Sequence, residues 1–195
     1  LLYSRTSTVD MTRRILQAEG LEAADPDIDR AMRQADHAIE SRWYVGPWWH
    51  HESAVRSLFT AGYREGLAVL LGSQVSEAQQ AHLAETIYEA YADPEHWGLF
   101  DDVLPTLAAL RGEGLPLGIV SDWGESLPWL LHQLGIDGYF DSVVVSARLG
   151  VGKPDPGLFG MALARLGQDA SHSWYVGDTY SKDVLGARAA GMTPV

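Results

Sequence analysis

The stretch WYVGDTYSKD, Trp174 to Asp183, carries most of what the sequence says about the fold. Three bulky apolar residues run directly into Gly177 and Asp178, and a second carboxylate, Asp183, follows five positions later. A short apolar run bounded by glycine is typical of a buried strand. Two carboxylates about 4 Å apart repel by roughly 4 kcal/mol at an effective dielectric constant near 20. The stretch therefore predicts a buried strand ending at two acids that need a proton, a lysine or a cation.

The segments around this stretch alternate between strand and helix from about residue 100 onward. Predicted helices are DDVLPTLAALRGEG, SLPWLLHQLG, DPGLFGMALARLG and KDVLGARAAG, and predicted strands are LPLGIVSD, DSVVVSA, SWYVGD and TPV. Asp155, Pro156 and Gly167 mark the start and end of the third helix. Such alternation indicates right-handed crossovers and a parallel sheet with helices on both faces.

Residues 8–93 show only helical patterns. Asp25 and Pro26 are predicted as the N-cap and first turn of one helix, and the apolar residues from Ile28 to Ile39 follow helical spacing. Ser76 and Gln79 fit a capping box. This part of the chain is predicted to be a small helical bundle that ends before Asp93-Pro94.

Composition narrows the class of protein. The chain has a formal net charge of −12, with 46% hydrophobic and 21% charged residues. This balance is typical of a globular protein and argues against nucleic acid or an anionic membrane as the main partner, because binding to them needs clustered Lys and Arg. Cysteine is absent and no apolar run has the length of a membrane span. We therefore expect a cytoplasmic protein without disulfides.

Three groups of polar residues fall at the predicted carboxyl ends of strands, where parallel α/β sheets bind ligands. They are Ser121 with Asp122, Lys153, and the pair Asp178 and Asp183. Oxygen ligands at a partly open site favour Mg²⁺. Lys153 and Lys182 are the only lysines of the chain, and a lysine provides a compact point charge that arginine does not.

Each of these residues also has a purely structural interpretation. Ser121 fits a turn, Lys153 fits a solvated loop, and Asp183 fits the cap of the helix that starts near Lys182. The sequence GVGKPDP is not a phosphate-binding loop of the Walker type, because its glycine spacing differs and Pro154 follows the lysine.

Taken together, GIVSDW, GVGKPDPGLF and VGDTYSKDVLGARAAGM resemble the second, third and fourth motifs of the haloacid dehalogenase-like hydrolases. The resemblance implies an α/β fold with a parallel Rossmann-like sheet and an inserted α-helical bundle as a cap. It places the cap at residues 8–93 and the α/β core at residues 1–7 and 94–195, with the first strand truncated.

The resemblance also implies roles for single residues. Ser121 and Asp122 would bind the substrate, with Ser121 holding the phosphoryl group that is transferred. Lys153 would stabilise the charge of the nucleophile and of the phosphoryl oxygens. Asp178 would bind Mg²⁺, and Asp183 would support that metal through water. The implied activity is hydrolysis of a small phosphomonoester through an aspartyl-phosphate.

One part of the family pattern has no match in this sequence. The nucleophilic Asp and the acid/base Asp belong to a first motif, and LLYSR at residues 1–5 resembles only the end of that motif. Asp10 is not a substitute, because no apolar strand precedes it. We therefore expect the chain to be an inactive fragment whose missing strand lies between the strands that end at Asp122 and Asp178.

Two other functions remain open at this point. A 2-haloacid dehalogenase of the same superfamily would displace halide without a metal, and the acidic pair favours a phosphatase over it. A binding module could keep the fold without catalysis. The sequence does not predict which small phosphorylated metabolite is the substrate. It does not predict the oligomeric state either.

The run RWYVGPWWHHE contains further candidates. Trp43, Trp48 and Trp49 could line a pocket beside the cap, although packing among the cap helices is favoured for most of these aromatic residues. A zinc site at His50, His51 and Glu52 is not favoured, since adjacent side chains on a helix point in different directions. His132 and His172 are predicted to lie at the surface or between helices.

Overall fold

A computed structural model describes residues 1–43, 46, 48 and 51–195 of the chain. It divides into two compact units. The helical unit comprises residues 1–48 and 53–100, and the α/β unit comprises residues 49–52 and 101–195. Residues 1–7 and 94–100 thus lie in the helical unit, and the functional division into a cap at 8–93 and a core stays a prediction.

The helical unit is a bundle, as its sequence pattern predicts. Its helices are α1 (Thr8–Ala18), α2 (Asp25–Trp43), α3 (Glu52–Leu71) and α4 (Glu77–Ala90). The strands β1 (Leu2–Ser4) and β2 (Trp97–Leu99) form an antiparallel ribbon at its two chain ends. Ser76 and Gln79 make the predicted capping box of α4. Asp25 is instead the first residue of α2, and its carboxylate accepts a hydrogen bond from Arg13 at 2.6 Å.

The core of the helical unit follows from the spacing of apolar residues. The buried residues of α2 repeat at helical intervals and are Ile28, Ala31, Met32, Ala35, Ala38 and Ile39. Gly62 and Gly66 of α3 lie directly against α2, where a Cβ atom on Gly66 would collide with the Ala31 carbonyl oxygen. Close approach of the two helices therefore depends on these glycines.

The α/β unit alternates helices and strands as predicted. Its elements are α5 (Val103–Gly112), β3 (Gly118–Ser121), α6 (Leu127–Gln133), β4 (Ser142–Val145), α7 (Ser146–Leu149), α8 (Pro156–Leu166), β5 (Trp174–Tyr175), α9 (Leu185–Ala189) and β6 (Thr193–Pro194). β3 pairs with β4 in parallel, from Gly118 opposite Ser142 to Ser121 opposite Val145. β5 pairs in parallel with β6. Asp155 caps α8, where its side chain accepts from the Gly157 N–H, and Gly167 ends that helix at φ 63°.

The two parallel pairs are not joined by backbone hydrogen bonds in the described part of the chain. One side-chain contact connects β5 to β3, since the Tyr175 hydroxyl donates to the Val120 carbonyl at 3.1 Å. The two-residue strand β5 thus has a backbone partner on one edge only.

The prediction of a fully buried strand at WYVGD is wrong. Trp174 and Val176 are 76% and 77% exposed, and Tyr175, which points to the other face, packs edge-on against Phe159 with 4.9 Å between ring centroids. Only one face of β5 is covered, because α8 lies against that face alone. None of the helices within residues 1–43 and 51–195 is both long and apolar enough to cross a bilayer.

Candidate functional site

The predicted site residues lie in the α/β unit at the ends and connections of its strands. Ser121 is the last residue of β3, and Asp122 follows it. Lys153 lies in the connection between α7 and α8. Asp178 follows β5, and Asp183 is buried in one turn of π-helix, Tyr180–Val184, that precedes α9. The strand order thus brings together residues that are up to about sixty positions apart in the sequence.

Lys153 and Asp183 form the central contact of the site. The Lys153 ammonium lies 2.6 Å from Asp183 Oδ1, and the two side chains are only 13% and 3% exposed. The backbone N–H of Thr179 donates to Asp183 Oδ2 at 3.0 Å. Burial by itself would raise the pKa of Asp183, but the donors Lys153 and Thr179 outweigh it and the pKa is lowered. The pair is therefore charged and fixed from both sides.

Gly177 makes room for this carboxylate. A Cβ atom at Gly177 would lie 2.5 Å from both Cβ and Cγ of Asp183. Any side chain at this position would displace the carboxylate from Lys153. The glycine that ends the apolar stretch thus lets its own backbone pass directly beside the Asp183 side chain.

Asp122 links the other two segments. Its Oδ1 accepts the Lys153 backbone N–H at 2.9 Å, and its Oδ2 lies 3.5 Å from the Lys182 ammonium, which is an ion pair rather than a hydrogen bond. Burial raises the pKa of Asp122 despite the nearby lysines. Burial likewise lowers the pKa of Lys182. The chain neighbours Lys182 and Asp183 therefore form two crossed pairs. Lys182 pairs with Asp122, and Asp183 pairs with Lys153.

Asp178 and Ser121 are less constrained. Asp178 is exposed, and its Oδ1 accepts a hydrogen bond from the Thr179 hydroxyl at 3.3 Å. Ser121 is half-buried at the carboxyl end of β3, beside Asp122. Lys153 thus has direct hydrogen bonds to Asp122 and Asp183. Ser121 lies beside this cluster as the chain neighbour of Asp122, and Asp178 is linked to it through Thr179.

Tyr175 belongs to the same cluster, although it is not among the residues predicted from the motifs. Its hydroxyl lies 3.1 Å from Asp183 Oδ1 and 3.4 Å from the Lys153 ammonium. Burial raises the pKa of Tyr175, and the negative charge of Asp183 raises it further, so the phenol keeps its proton. A polar ring in an apolar run three residues before an acid is the signal that could have indicated it. Lys182 was noted for its rarity but received no role.

The carboxylates suit Mg²⁺ in chemistry, although the described residues contain no cluster of three His, Cys, Asp or Glu that could hold a metal. Both oxygens of Asp183 already accept hydrogen bonds, whereas Asp178 is exposed and, among the residues that the structure describes, accepts a hydrogen bond at Oδ1 from Thr179. Mg²⁺ is commonly bound by one or two carboxylates, with water and substrate phosphate as its other ligands. Asp178 could be such a ligand, with Asp183 behind it.

The structure also tests the purely structural interpretations of Asp183 and Lys153 and shows where the two histidines lie. Asp183 does lie in the first turn of the helical segment that Thr179 caps, and its carboxylate accepts both the Thr179 N–H and the Lys153 ammonium, so its capping role and its contact with Lys153 occur together. Lys153 is not a solvated loop lysine. His132 is exposed and pairs with Asp137 at 2.9 Å, and His172 is exposed.

The aromatic candidates of the helical unit take part in packing. Trp43 packs edge-on against Phe59 with 5.9 Å between ring centroids, and Trp48 donates to the Arg42 carbonyl at 2.7 Å. Trp49 and His50 lie outside the described residues, so the pocket and zinc interpretations of those two positions stay untested. Asp10 lies in α1 and pairs with Arg13 at 2.7 Å, away from any strand end.

Comparison with known proteins identifies similar sequences and folds. The family model for haloacid dehalogenase-like hydrolases matches residues 10–191. Haloacid dehalogenase-like hydrolase domain-containing protein 3 from Danio rerio is 38% identical over 110 residues, which are 56% of this chain and 46% of that protein. Glyceraldehyde 3-phosphate phosphatase from Methanopyrus kandleri is 38% identical over 129 residues, which are 65% of this chain and 55% of that enzyme. The chain thus spans about half the length of these two relatives.

The fold has close matches among solved structures. The crystal structure of a HAD phosphatase from Thermococcus onnurineus matches with a TM-score of 0.62 and 25% identity, covering 96% of this chain and 74% of that one. The match supports the α/β fold with a helical bundle as a whole, including the parallel strands that carry the site.

Proposed function

Because the chain belongs to the haloacid dehalogenase-like hydrolases, we propose that the protein is a Mg²⁺-dependent phosphatase that hydrolyses a small phosphomonoester. The observation that carries the proposal is the buried Lys153–Asp183 pair at the carboxyl ends of parallel strands, beside the exposed carboxylate of Asp178. The names of the relatives from Methanopyrus kandleri and Thermococcus onnurineus support the phosphatase activity.

In this proposal Lys153 supplies a fixed positive charge. Two carboxylates and a phosphoryl group in one place would repel strongly, and a buried ammonium offsets that repulsion without reorganising. Asp183 and the Thr179 N–H keep Lys153 in place, and Asp122 fixes its backbone. Ser121 would donate its hydroxyl to a phosphoryl oxygen at the end of β3.

Asp178 would hold Mg²⁺, and Asp183 would support the ion through water. When bound, Mg²⁺ neutralises charge on the phosphoryl oxygens and orients them. The attacking carboxylate that the family resemblance implies is not assigned to any residue of this sequence. A small phosphorylated metabolite as the substrate and a cytoplasmic location are further parts of the proposal.

The experiment measures phosphate release by the full-length protein on a panel of small phosphomonoesters that includes glyceraldehyde 3-phosphate. Asp178→Asn is expected to lower kcat/KM at least about a hundredfold, as loss of a charge that stabilises the transition state does. The matched control is Asp169→Asn, which changes an exposed aspartate of the same unit.

Three results would contradict the proposal. Unchanged activity of Asp178→Asn removes the metal assignment. Release of halide from 2-haloacids in the presence of EDTA, without phosphatase activity, identifies a dehalogenase. A protein that binds phosphomonoesters but turns over neither class of substrate is a binding module.

A further inference from the structure

Tyr175 joins the groups of the site through one hydroxyl. The oxygen lies 3.1 Å from Asp183 Oδ1, 3.1 Å from the Val120 carbonyl oxygen and 3.4 Å from the Lys153 ammonium. A phenol has one proton to donate and can accept at the same time. It therefore donates to either Asp183 or Val120 while it accepts from Lys153.

The Tyr175 ring is held on its other side. It packs edge-on against Phe159, which is fully buried, with 4.9 Å between ring centroids and 71° between ring planes. The Lys153 ammonium also lies 6.0 Å from the centroid of the Tyr175 ring. The hydroxyl thus sits on a rigid support that is built into the core of the α/β unit.

Lys153 is the group that needs such support. Its ammonium ends a flexible four-carbon side chain, and a single carboxylate partner leaves it free to slide around the Asp183 oxygen. The Thr179 N–H fixes Asp183, and the Tyr175 hydroxyl fixes the direction from which Lys153 approaches. Together they confine the positive charge to one position.

We propose that Tyr175 is a positioning residue, which holds the Lys153 ammonium against Asp183 in the arrangement that hydrolysis requires. The inference rests on the proposed phosphatase function for its role in turnover. Its structural part, the confinement of Lys153, can be tested independently of activity.

The first test uses the rarity of lysine in this chain. Lys153 and Lys182 are the only lysines, so acetylation by an amine-reactive ester, followed by peptide mass spectrometry, measures each one separately. Tyr175→Phe removes the hydroxyl and keeps the ring on Phe159. We expect Lys153 to react about tenfold faster in this variant, the size expected for a lost hydrogen bond to a charged group, while the rate of Lys182 changes less than about twofold.

Tyr139→Phe is the matched control, because it removes a hydroxyl from another half-buried tyrosine of the same unit. An unchanged rate for Lys153 in Tyr175→Phe overturns the inference. An equal rise at both lysines also overturns it, since that result shows general loosening. If Tyr175→Phe does not fold, Phe159→Leu takes its place. This variant keeps the hydroxyl but loosens the ring, and selective exposure of Lys153 is again the result expected.

The second test measures turnover by the full-length protein with Mg²⁺ and the best phosphomonoester of the panel. Tyr175→Phe is expected to lower kcat about tenfold and to change KM less than about twofold, because the charge acts in the transition state. A kcat equal to that of Tyr139→Phe overturns the role in turnover. If the wild-type protein hydrolyses no phosphomonoester, the proposed function fails, and the acetylation rates still decide whether Tyr175 confines Lys153.

Discussion

Helix α3 of the helical unit and the stretch WYVGD of the α/β unit bury their apolar residues to different degrees. In the helical unit, α3 buries Leu58 and Leu67 completely. In the α/β unit, the equally apolar Trp174 and Val176 beside the acidic site are more than three-quarters exposed. The sequence patterns of both segments predict burial, and only the helical one achieves it.

The difference shows what each kind of element needs. A helix satisfies its own backbone and buries an apolar stripe as soon as a neighbouring helix lies against it. A parallel strand needs backbone partners on its edges and cover on both faces. β5 has one backbone partner, β6, and one covered face, on the side of Phe159. The local pattern therefore predicts the environment of the helices better than that of the strand.

The largest effect is expected from truncation of a buried helical residue. Leu67→Ala leaves a cavity in the helical unit, and we expect it to lower the free energy of unfolding by about 2–5 kcal/mol. Val176→Ala removes an exposed side chain and should change stability by less than about 0.5 kcal/mol. Chemical denaturation of both variants measures the contrast. A loss above about 2 kcal/mol for Val176→Ala would show that this face of β5 is covered in solution.

A smaller effect is expected from filling the contact between α2 and α3. Gly66→Ala places a methyl group against the Ala31 carbonyl oxygen, and the resulting shift of the helices should lower the free energy of unfolding by about 1–3 kcal/mol. Gly160→Ala in α8 is the matched control. Apart from the backbone of α8 itself, no atom of the described residues lies within 4 Å of its added Cβ, so this change should be neutral or stabilise by up to about 1 kcal/mol. Equal losses in both variants would contradict the close helix contact.

The smallest effect concerns acid stability of the α/β unit. The Leu117 N–H, at 3.0 Å, and Arg111, at 2.5 Å, hold the pKa of Asp141 below its usual value, at the point where β3 and β4 begin. The pKa of Asp141 in the folded protein is thus below its pKa in the unfolded chain, which is about 3.9. The ionised carboxylate therefore stabilises the fold fully above the unfolded pKa, and this stabilisation is lost as the pH falls through the folded pKa.

Asp141→Asn removes this dependence. Between about pH 5 and pH 2, the Tm of the wild-type protein should fall more steeply than that of the variant. Glu113→Gln, which changes an exposed carboxyl of the preceding turn, should keep the wild-type slope. Parallel Tm profiles for Asp141→Asn and wild type would contradict the role of Asp141.

Much of the fold could be predicted from the sequence. The helices of residues 8–93, the capping box at Ser76 and the alternation after residue 100 are all found, because local periodicity and capping chemistry determine them. The close contact at Gly66 could not be predicted, since it depends on the residue that α2 presents there. The number of backbone partners of β5 also could not be predicted, because it depends on which strands lie beside β5 and not on the sequence of β5 itself.

The candidate site likewise has a part that could be predicted from the sequence and a part that could not. The motifs identified Lys153 and Asp183 as candidates, and the structure places them in contact. Their crossed pairing, Lys153 with Asp183 and Lys182 with Asp122, could not be predicted from the motif, because it depends on which remote residue lies beside each of the neighbouring positions 182 and 183. The roles of the site residues in catalysis stay predictions.

The sequence by itself determined the family, the order of helices and strands, and the set of acids and lysines at strand ends, because these depend on short-range patterns and on residue identity. Only the tertiary structure decided which charges pair, that the Tyr175 hydroxyl contacts both Lys153 and Asp183, and that one face of WYVGD is open. Pairing and burial depend on distances between segments remote in the chain, and those distances arise only when the strands lie side by side.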